Sequence, residues 1–323
     1  GRPSPRMSKY IAQRLMLSVP TILGLTLIVF FVLRVLTPVD AVDLQFAAAN
    51  ISDPEAEARL REELGLTGPL PLQYLSWLGR MMVGDFGVSF YTGRTVVDEL
   101  ALRIPTSLEV GMGALAITIV IAIPVGILSA VRQDSLADYL SRGSAILFYA
   151  IPGFWLATLV LVFGSLWFNF APPTEYHHLW EDPVANLKQI AIPMVLLGLA
   201  PIGTLIRLVR TQVLEIIRQD YVRTARAKGL SARTVYSRHV LRNSLLPIVT
   251  VVGLQVPNLV AGTVIFEQVF VLPGVGRYLL DAVLRLDLFV LMATNLFFGS
   301  LIIFSNLVVD LSYGFIDPRV RFQ

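Results

Sequence analysis

The chain has 323 residues, of which 55% are hydrophobic and only 15% are charged, with a mean hydropathy of +0.68. A soluble domain usually carries about a quarter charged residues, so this composition predicts a protein of the lipid bilayer. The lack of cysteine excludes disulfides, thiolate metal sites and a cysteine nucleophile, and a net charge of only +3 gives no reason to expect a nucleic-acid partner.

Six uncharged apolar runs are long enough for membrane spans, because a helix needs about 20 apolar residues to cross the hydrocarbon core. The first run lies between Arg14 and Arg34, and it is interpreted as a retained helix rather than a signal peptide. The residues before Met7 are a candidate expression remnant. The sequence therefore predicts an all-α polytopic membrane protein with six transmembrane helices. The runs cover residues 15–33, 110–131, 143–170, 190–206, 245–266 and 288–309.

The charged residues outside these runs are distributed unevenly, which predicts the orientation of the chain. Residues 1–14 carry four basic residues and no acidic one, and residues 207–242 carry nine basic against two acidic residues. By contrast, residues 37–107 carry ten acidic against five basic residues, and residues 171–189 carry three against one. Six spans place both basic segments on one side, so we expect the two termini and the basic loop in the cytoplasm.

Residues 35–107 are too long for a simple connection and are interpreted as an extended extracytoplasmic segment. Asp53-Pro54-Glu55 predicts a helix start, with proline at the first position and acidic residues in the first turn. We expect this helix to run through Glu63 and to stop at Gly65.

An amphipathic helix is predicted later in the same segment, because residues 74, 75, 78, 81 and 82 are apolar at helical spacing. Such a helix would lie on the membrane or on another subunit. A turn is expected to follow at residues 84–87. The segment is either a folded cap over the bundle or a docking surface for an external partner.

Prolines interrupt the predicted spans, and each one removes a backbone hydrogen bond within a helix. Two interpretations stay open: the helices bend around a translocation cavity, or the prolines reflect the ordinary enrichment of this residue in membrane helices. The prolines are Pro20, Pro124, Pro152, Pro193, Pro201, Pro247 and Pro257.

The basic loop between the fourth and fifth spans predicts two short helices joined at a glycine. We expect Asp220 to cap the first helix, which makes about two turns, and Gly229 to follow at the C′ position. Ser231 is expected to cap a second helix over residues 232–243, after which Leu246-Pro247 opens the fifth span.

This pair of helices forms a compact surface knob that suits docking of another protein. Tyr221, Val222 and Leu230 offer apolar contact, and Ala225 and Ala227 are small enough for a partner's backbone to approach closely. The alternative interpretation is a solvated basic loop held near anionic lipid.

Residues 221–231, Tyr-Val-Arg-Thr-Ala-Arg-Ala-Lys-Gly-Leu-Ser, resemble the EAA loop of binding-protein-dependent ABC importer permeases. The family's pattern is Glu-Ala-Ala, three residues and then Gly. Here Arg223 stands at the Glu position and Thr224 at the first Ala position, while Ala225 and Gly229 match. The spacing to the later Leu-Pro pair resembles that of the peptide/nickel branch.

Further segments resemble the B subunit of the oligopeptide and dipeptide permeases, so the resemblance extends over nearly the whole chain. Their order and spacing matter more than any one of them. The segments are residues 63–66, 71–74, 84–89, 271–277 and 317–319.

The resemblance implies a type I ABC importer permease in a bacterial or archaeal inner membrane. It further implies a homologous second permease subunit, two ATP-binding subunits at the basic loop and an extracytoplasmic binding protein that delivers di- or oligopeptides. ATP and Mg would bind in the partner subunits, and this chain would hold no cofactor. The implied coupling residues are Asp220, Tyr221, Arg223, Thr224, Ala225, Arg226, Gly229 and Ser231.

On this interpretation the chain divides into five parts. A cytoplasmic N-terminus, the first transmembrane helix and the extracytoplasmic segment precede a five-helix permease core that contains the coupling loop 210–243, and a cytoplasmic tail ends the chain. The boundaries of these parts are 1–14, 15–34, 35–107, 108–309 and 310–323.

No Gly-x-x-x-x-Gly-Lys-Ser/Thr loop occurs in the sequence, so we expect a transport subunit and not an enzyme. The adjacent His177-His178 pair lacks metal-ligand spacing. Polar residues in or beside the spans, Glu109, Asn258, Asn295 and also Asn306, are candidates for a substrate path or for hydrogen bonds between helices. The remaining alternatives are the same architecture importing nickel, glutathione or an oligosaccharide, an ion-coupled secondary transporter, a channel and a non-transport scaffold.

Overall fold

The computed structural model describes residues 5–36, 42–43, 46, 53–63, 65–173 and 175–316, of which residues 5–11, 63, 245–246 and 313–316 are described by their backbone alone. Segment 317–319 and parts of the predicted extracytoplasmic segment lie outside these residues. The α-helices are α1 (Pro5–Phe31), α2 (Pro54–Glu63), α3 (Leu70–Met82), α4 (Val96–Val131), α5 (Leu136–Ala150), α6 (Gly153–Phe168), α7 (Pro183–Ile217), α8 (Asp220–Ala227), α9 (Ala232–Thr234), α10 (Arg242–Val269), α11 (Val275–Arg285) and α12 (Leu288–Ile316).

Five helices are long and apolar enough to cross a membrane, which confirms the polytopic all-α prediction for the described residues. They contain the stretches Ala12–Val35, Val96–Val131, Pro183–Ile217, Pro247–Val269 and Leu288–Ser312. The helices α5 and α6 together satisfy the same criteria, so the number of spans is six when this pair counts as one.

The third predicted run, residues 143–170, is not a single straight helix. The axes of α5 and α6 differ by 88°, and the break falls at Ile151 and Pro152. Ile151 is extended, with φ −87° and ψ 122°, which is the conformation that a following proline favours. Pro152 also lacks the N–H that would continue α5.

The other prolines named above lie inside continuous helices. Pro20 is in α1, Pro124 in α4, Pro193 and Pro201 in α7, and Pro247 and Pro257 in α10. A long helix can continue through a proline when neighbouring helices cover the backbone carbonyl that the proline leaves without a hydrogen bond.

The centre of the bundle is formed by α4 and α7, which pack closely where glycine replaces a side chain. A Cβ at Gly126 would lie 2.7 Å from the Cβ of Val209, and a Cβ at Gly203 would lie only 2.3 Å from the Ala145 carbonyl oxygen of α5. Only glycine permits the helices to approach this closely. Around these points Ile202, Leu205, Ile206 and Val213 form a fully buried apolar cluster.

The bundle has two chemically distinct ends. The basic end carries residues 207–242, and the acidic end carries the segments 53–95, 169–182 and 270–287. Arg14 of α1 and Asp310 of α12 form a 2.9 Å ion pair towards the basic end. The first and last spans therefore meet there.

The helix predicted from Asp53 is present as α2, which ends at Glu63. The Asp53 carboxylate accepts hydrogen bonds from the backbone amides of Glu55 and Ala56, each at 3.1 Å. Gly65 follows with φ +68°, a conformation that glycine adopts at little cost.

The amphipathic helix α3 is also present. Leu75 and Met82 are exposed, whereas Gln73 and Trp77 are buried against α1. The orientation is fixed by polar contacts, because the Arg34 guanidinium donates to the Gln73 amide oxygen at 3.1 Å. The apolar side chains left outside face away from the bundle.

Candidate functional site

The helix α8 begins one residue earlier than the sequence predicted. Its N-cap residue is Gln219, and Asp220 is the first helical residue, so the prediction that Asp220 caps the helix is wrong. The Asp220 side chain is 96% exposed and lies 3.5 Å from the guanidinium of Arg223. It therefore acts on α8 through the positive end of the helix dipole rather than through a capping hydrogen bond.

The end of α8 agrees with the prediction. Gly229 has φ +81°, and its amide donates to the Arg226 carbonyl at 2.9 Å, while the Leu230 amide donates to the Ala225 carbonyl at 3.3 Å. These two bonds define a Schellman motif, which requires a left-handed residue at the glycine. Ser231 then caps the next helix by accepting from the Thr234 amide at 3.3 Å.

The two faces of α8 have different environments. Val222 and Ala225 are buried in the same apolar cluster as Val209 and Val213 of α7. Ala225 thus packs against its own chain, and the surface open to another protein lies on the opposite face. We call this surface the knob face; it comprises Tyr221, Arg223, Thr224, Arg226, Ala227, Lys228 and Leu230.

The second helix of the basic loop is not a separate element. After the short α9 the backbone continues as a π-helix, Val235–Leu241, directly into α10. The helix is therefore already continuous at Leu246-Pro247, and the apolar span within α10 begins at Pro247, as predicted. The Arg226 guanidinium lies 5.8 Å from the ring centroid of Tyr236, so α8 also contacts this π-helix.

Sequence reasoning missed the ion pair that fixes this end of the bundle. The Arg210 guanidinium of α7 donates twice to the Asp138 carboxylate of α5, at 2.8 Å for each bond, and the Ser129 hydroxyl of α4 donates to it at 2.5 Å. Asp138 is fully buried. Part of the signal was available, because Ser135 and Asp138 have the serine-to-acid spacing of a helix N-terminus.

The path candidates occupy different environments. Glu109 of α4 accepts hydrogen bonds from the Tyr176 hydroxyl and the Asn186 amide, each at 3.0 Å, and so ties the loop before α7 to α4. Burial, together with the negative charge of Glu109, raises the pKa of Tyr176 to about 12, so this hydroxyl remains a donor. Asn258 and Asn295 are exposed, and the side-chain amide of each donates to a carbonyl of its own helix, at 3.1 and 2.7 Å.

Within the described ranges, no three His, Asp or Glu side chains come together as a metal site would require. The arrangement is an apolar helical bundle of membrane-spanning length with a rigid, basic, solvent-exposed helix at one end. Such a fold defines an integral membrane protein.

The comparisons with known proteins specify this class. Residues 7–111 match the model of the family described as binding-protein-dependent transport system membrane component, N-terminal. Residues 122–322 match that described as binding-protein-dependent transport system inner membrane component. The chain belongs to this family of inner-membrane transport components.

Individual relatives match over almost their full length. The chain is 36% identical over 338 residues to the dipeptide transport system permease protein DppB of Escherichia coli strain K12, covering 98% of this chain and 99% of DppB. It is 34% identical over 319 residues to the oligopeptide transport system permease protein AppB of Bacillus subtilis strain 168, covering 98% and 100%. An inward-facing structure of the MetNI methionine ABC transporter aligns with a TM-score of 0.47 and 18% identity, covering 65% of this chain and 94% of that one.

Proposed function

We propose that the chain is a permease subunit of an ATP-driven ABC importer and that it forms, with a homologous second permease subunit, the path for di- or oligopeptides. The end-to-end match to permeases named for dipeptide and oligopeptide transport carries this proposal. An extracytoplasmic binding protein delivers the peptide, and two separate ATP-binding subunits supply the energy. Import of nickel, glutathione or an oligosaccharide by the same architecture is the second candidate.

The orientation is part of the proposal. The basic end faces the cytoplasm, because lysine and arginine accumulate on that side of inner-membrane proteins. The ion pair between Arg14 and Asp310 supports a common side for the start of α1 and the end of α12. Both termini are then cytoplasmic, and the acidic end, with α2, α3 and α11, faces outward.

The knob face is the docking surface for an ATP-binding subunit. Its apolar and basic side chains are exposed, with Tyr221 at 43% and Leu230 at 42%, while Val222 and Ala225 fix the helix from beneath. Because α9, the π-helix Val235–Leu241 and α10 form one continuous helical segment after the turn at Gly229, displacement of the knob moves the fifth span as a lever. Of the sequence-predicted coupling residues, Asp220, Ser231 and Gly229 shape the helix ends.

The exposed amides of Asn258 on α10 and Asn295 on α12 support a path or subunit interface on that side of the chain. Polar side chains exposed on membrane spans normally face protein or a water-filled cavity. Glu109 has a more local role in this arrangement, as the acceptor that holds the loop before α7.

The coupling role is tested by Gly229→Val in the complete transporter reconstituted in proteoliposomes. A β-branched residue does not adopt φ +81° without strain, so we expect insertion and assembly to persist while peptide uptake and stimulated ATP hydrolysis are lost. Gly68→Val is the matched control, because Gly68 has φ +92° and equally open surroundings but lies at the acidic end.

The partner and orientation are tested by cysteine substitution, since the native sequence contains no cysteine. Thr224→Cys should cross-link to an ATP-binding subunit and react with thiol reagents only from the cytoplasm, whereas Glu55→Cys should react only from outside. Normal peptide uptake by Gly229→Val, or outside labelling of Thr224→Cys, would contradict the proposal. ATP-independent uptake would instead favour an ion-coupled transporter.

A further inference from the structure

The helix α11 lies across the acidic end between two strained residues. Val271, before the helix, has φ +57°, and Leu286, after it, has φ +55°. Residues with a Cβ rarely adopt this region, and a β-branched residue such as valine does so least readily. Strain of this kind persists only where surrounding contacts fix the conformation. The contacts of α11 must therefore hold it in place.

The main contact at the start of α11 is the Glu267 carboxylate, which has no exposed surface. Its Oε1 accepts hydrogen bonds from the Ser107 hydroxyl of α4 and the Thr263 hydroxyl of α10, each at 2.6 Å. Its Oε2 accepts from the Arg277 backbone amide at 2.8 Å. The Ser107 oxygen accepts in turn from the Val275 amide at 2.8 Å. One carboxylate thus connects α4, α10 and the first turn of α11.

The chain leading into α11 is shaped to receive this carboxylate. A Cβ at Gly274 would lie 2.1 Å from Cδ of Glu267, and a Cβ at Gly276 would lie 2.5 Å from Cα of Val264. Both distances are far below van der Waals contact, so only glycine allows the loop to approach. A buried carboxylate that receives a backbone amide at a helix N-terminus is a favourable arrangement of charge and dipole.

The rest of α11 is held by weaker contacts. The Arg103 guanidinium of α4 lies 4.6 Å from the ring centroid of Tyr278, and beyond the helix the Ser89 hydroxyl donates to the buried Asp287 carboxylate at 2.6 Å. Burial raises the pKa of Asp287.

Val275, Tyr278 and Ala282 of α11 also pack in an apolar cluster with residues of α4 and α12. Among the described polar contacts, the Glu267 carboxylate connects the start of α11 to both α4 and α10.

We propose that Glu267 is a positioning residue for transport: it latches α11 onto α4 and α10, so that these elements move as one body and the outer end opens only when the spans move. This rests on the proposed function and orientation. Without the latch, the strained residues on either side release α11, and ATP hydrolysis proceeds with less peptide transported per ATP.

The experiment measures the position of α11 directly in the complete transporter. Ala282 lies on the buried face of α11 and is 4% exposed, whereas Leu284 is 74% exposed. Ala282→Cys should be protected from a membrane-impermeant maleimide added outside, and Leu284→Cys should react freely. Adding Glu267→Ala should raise the labelling rate of Ala282→Cys on the order of tenfold, as expected for losing hydrogen bonds to a buried charge.

Two milder variants separate a latch from a general structural role. Ser107→Ala and Thr263→Ala each remove one hydroxyl at 2.6 Å from the same carboxylate oxygen, but only Ser107 also reaches the α11 backbone. The latch predicts faster labelling and a lower ratio of peptide to ATP for Ser107→Ala, with Thr263→Ala close to wild type. Equal effects of both variants, or protected Ala282→Cys in Glu267→Ala, would overturn the proposal.

The labelling readout needs no transported substrate. If peptide uptake is absent from the wild-type complex but the labelling pattern is as expected, the substrate assignment fails and the latch stands.

Discussion

Asp138 at the basic end and Glu267 at the acidic end are both buried carboxylates, but their partners differ. At the basic end, Asp138 meets the Arg210 guanidinium, so a buried negative charge faces a positive one. At the acidic end, Glu267 is equally buried, but its described partners are two hydroxyls and a backbone amide. The first arrangement is an ion pair whose members depend on each other, and the second is a charge held by dipoles from three elements.

This difference suits the roles proposed for the two ends. The ion pair fixes α5 to α7 immediately before α8, and thereby gives the knob a firm base. At the acidic end, the hydrogen bonds of the Glu267 carboxylate hold α4, α10 and the first turn of α11 together when the spans move. The comparison can be tested by removing one group at a time.

The largest effect is expected from Asp138→Ala, because it leaves the Arg210 guanidinium largely buried without its partner. Breaking such a pair destabilises a protein by about 3–5 kcal/mol. The thermal unfolding midpoint of the purified transporter should fall sharply, and the double variant Asp138→Ala/Arg210→Met should recover part of the loss.

Glu55→Ala provides the control, since its 3.7 Å pair with Arg59 is almost fully exposed. Exposed pairs contribute little, so its midpoint should not change measurably. If Asp138→Ala is as stable as Glu55→Ala, the basic end is not held by this pair.

An intermediate effect is expected from Gly274→Ala at the acidic end. The new methyl group would collide with the Glu267 carboxylate, and overpacking of this kind costs about 1–3 kcal/mol. Gly143→Ala is the matched control, because nothing lies within 4 Å of its Cβ position in α5. That substitution should be neutral or stabilising by up to about 1 kcal/mol.

A midpoint for Gly274→Ala equal to that of Gly143→Ala would show that the carboxylate is mobile. In that case the Glu267 carboxylate could move aside without lowering the stability of the protein, and it would not hold α11 in one position.

Much of the fold could be predicted because its signals are local. Apolar runs identified the spans, and the Gly229 and Ser231 positions in the basic loop follow from backbone conformation and capping, which depend on neighbouring residues. Asp220 was misplaced by one position because Gln219 precedes α8 without a capping hydrogen bond, and capping preference could not reveal that.

The buried polar contacts could not be predicted, because they join residues far apart in sequence. Glu267 marks the end of the fifth apolar run, yet its partner Ser107 lies 160 positions away. The burial of Gln73 in α3 could not be predicted for a similar reason, because Arg34 of the first span reaches it. Periodicity reports which side chains are apolar, but not which polar group a neighbouring helix supplies.

The smallest effect is expected from Asp182, a carboxylate at the acidic end that is held by dipoles but lies at the surface. Its Oδ1 accepts from the Ala185 and Val184 amides at the start of α7, each at 3.0 Å, and these bonds lower the pKa of Asp182. The folded pKa is thus below the ordinary value of 3.8, so the contribution to stability is complete above pH 3.8 and is lost as the pH falls through the folded pKa.

Asp182→Asn should keep the cap, because asparagine accepts the same bonds, but should remove its pH dependence. Asp182→Ala should lower the unfolding midpoint slightly at neutral pH and leave no difference from wild type once Asp182 is protonated. The measurement is the thermal unfolding midpoint of the wild type, Asp182→Asn and Asp182→Ala, from neutral pH down to the pH at which Asp182 is protonated. If Asp182→Ala lowered the unfolding midpoint as much as Asp138→Ala does, burial would not determine how much each carboxylate contributes to stability. The difference between Asp138 and Glu267 would then have to come from their positions in the bundle rather than from their partners.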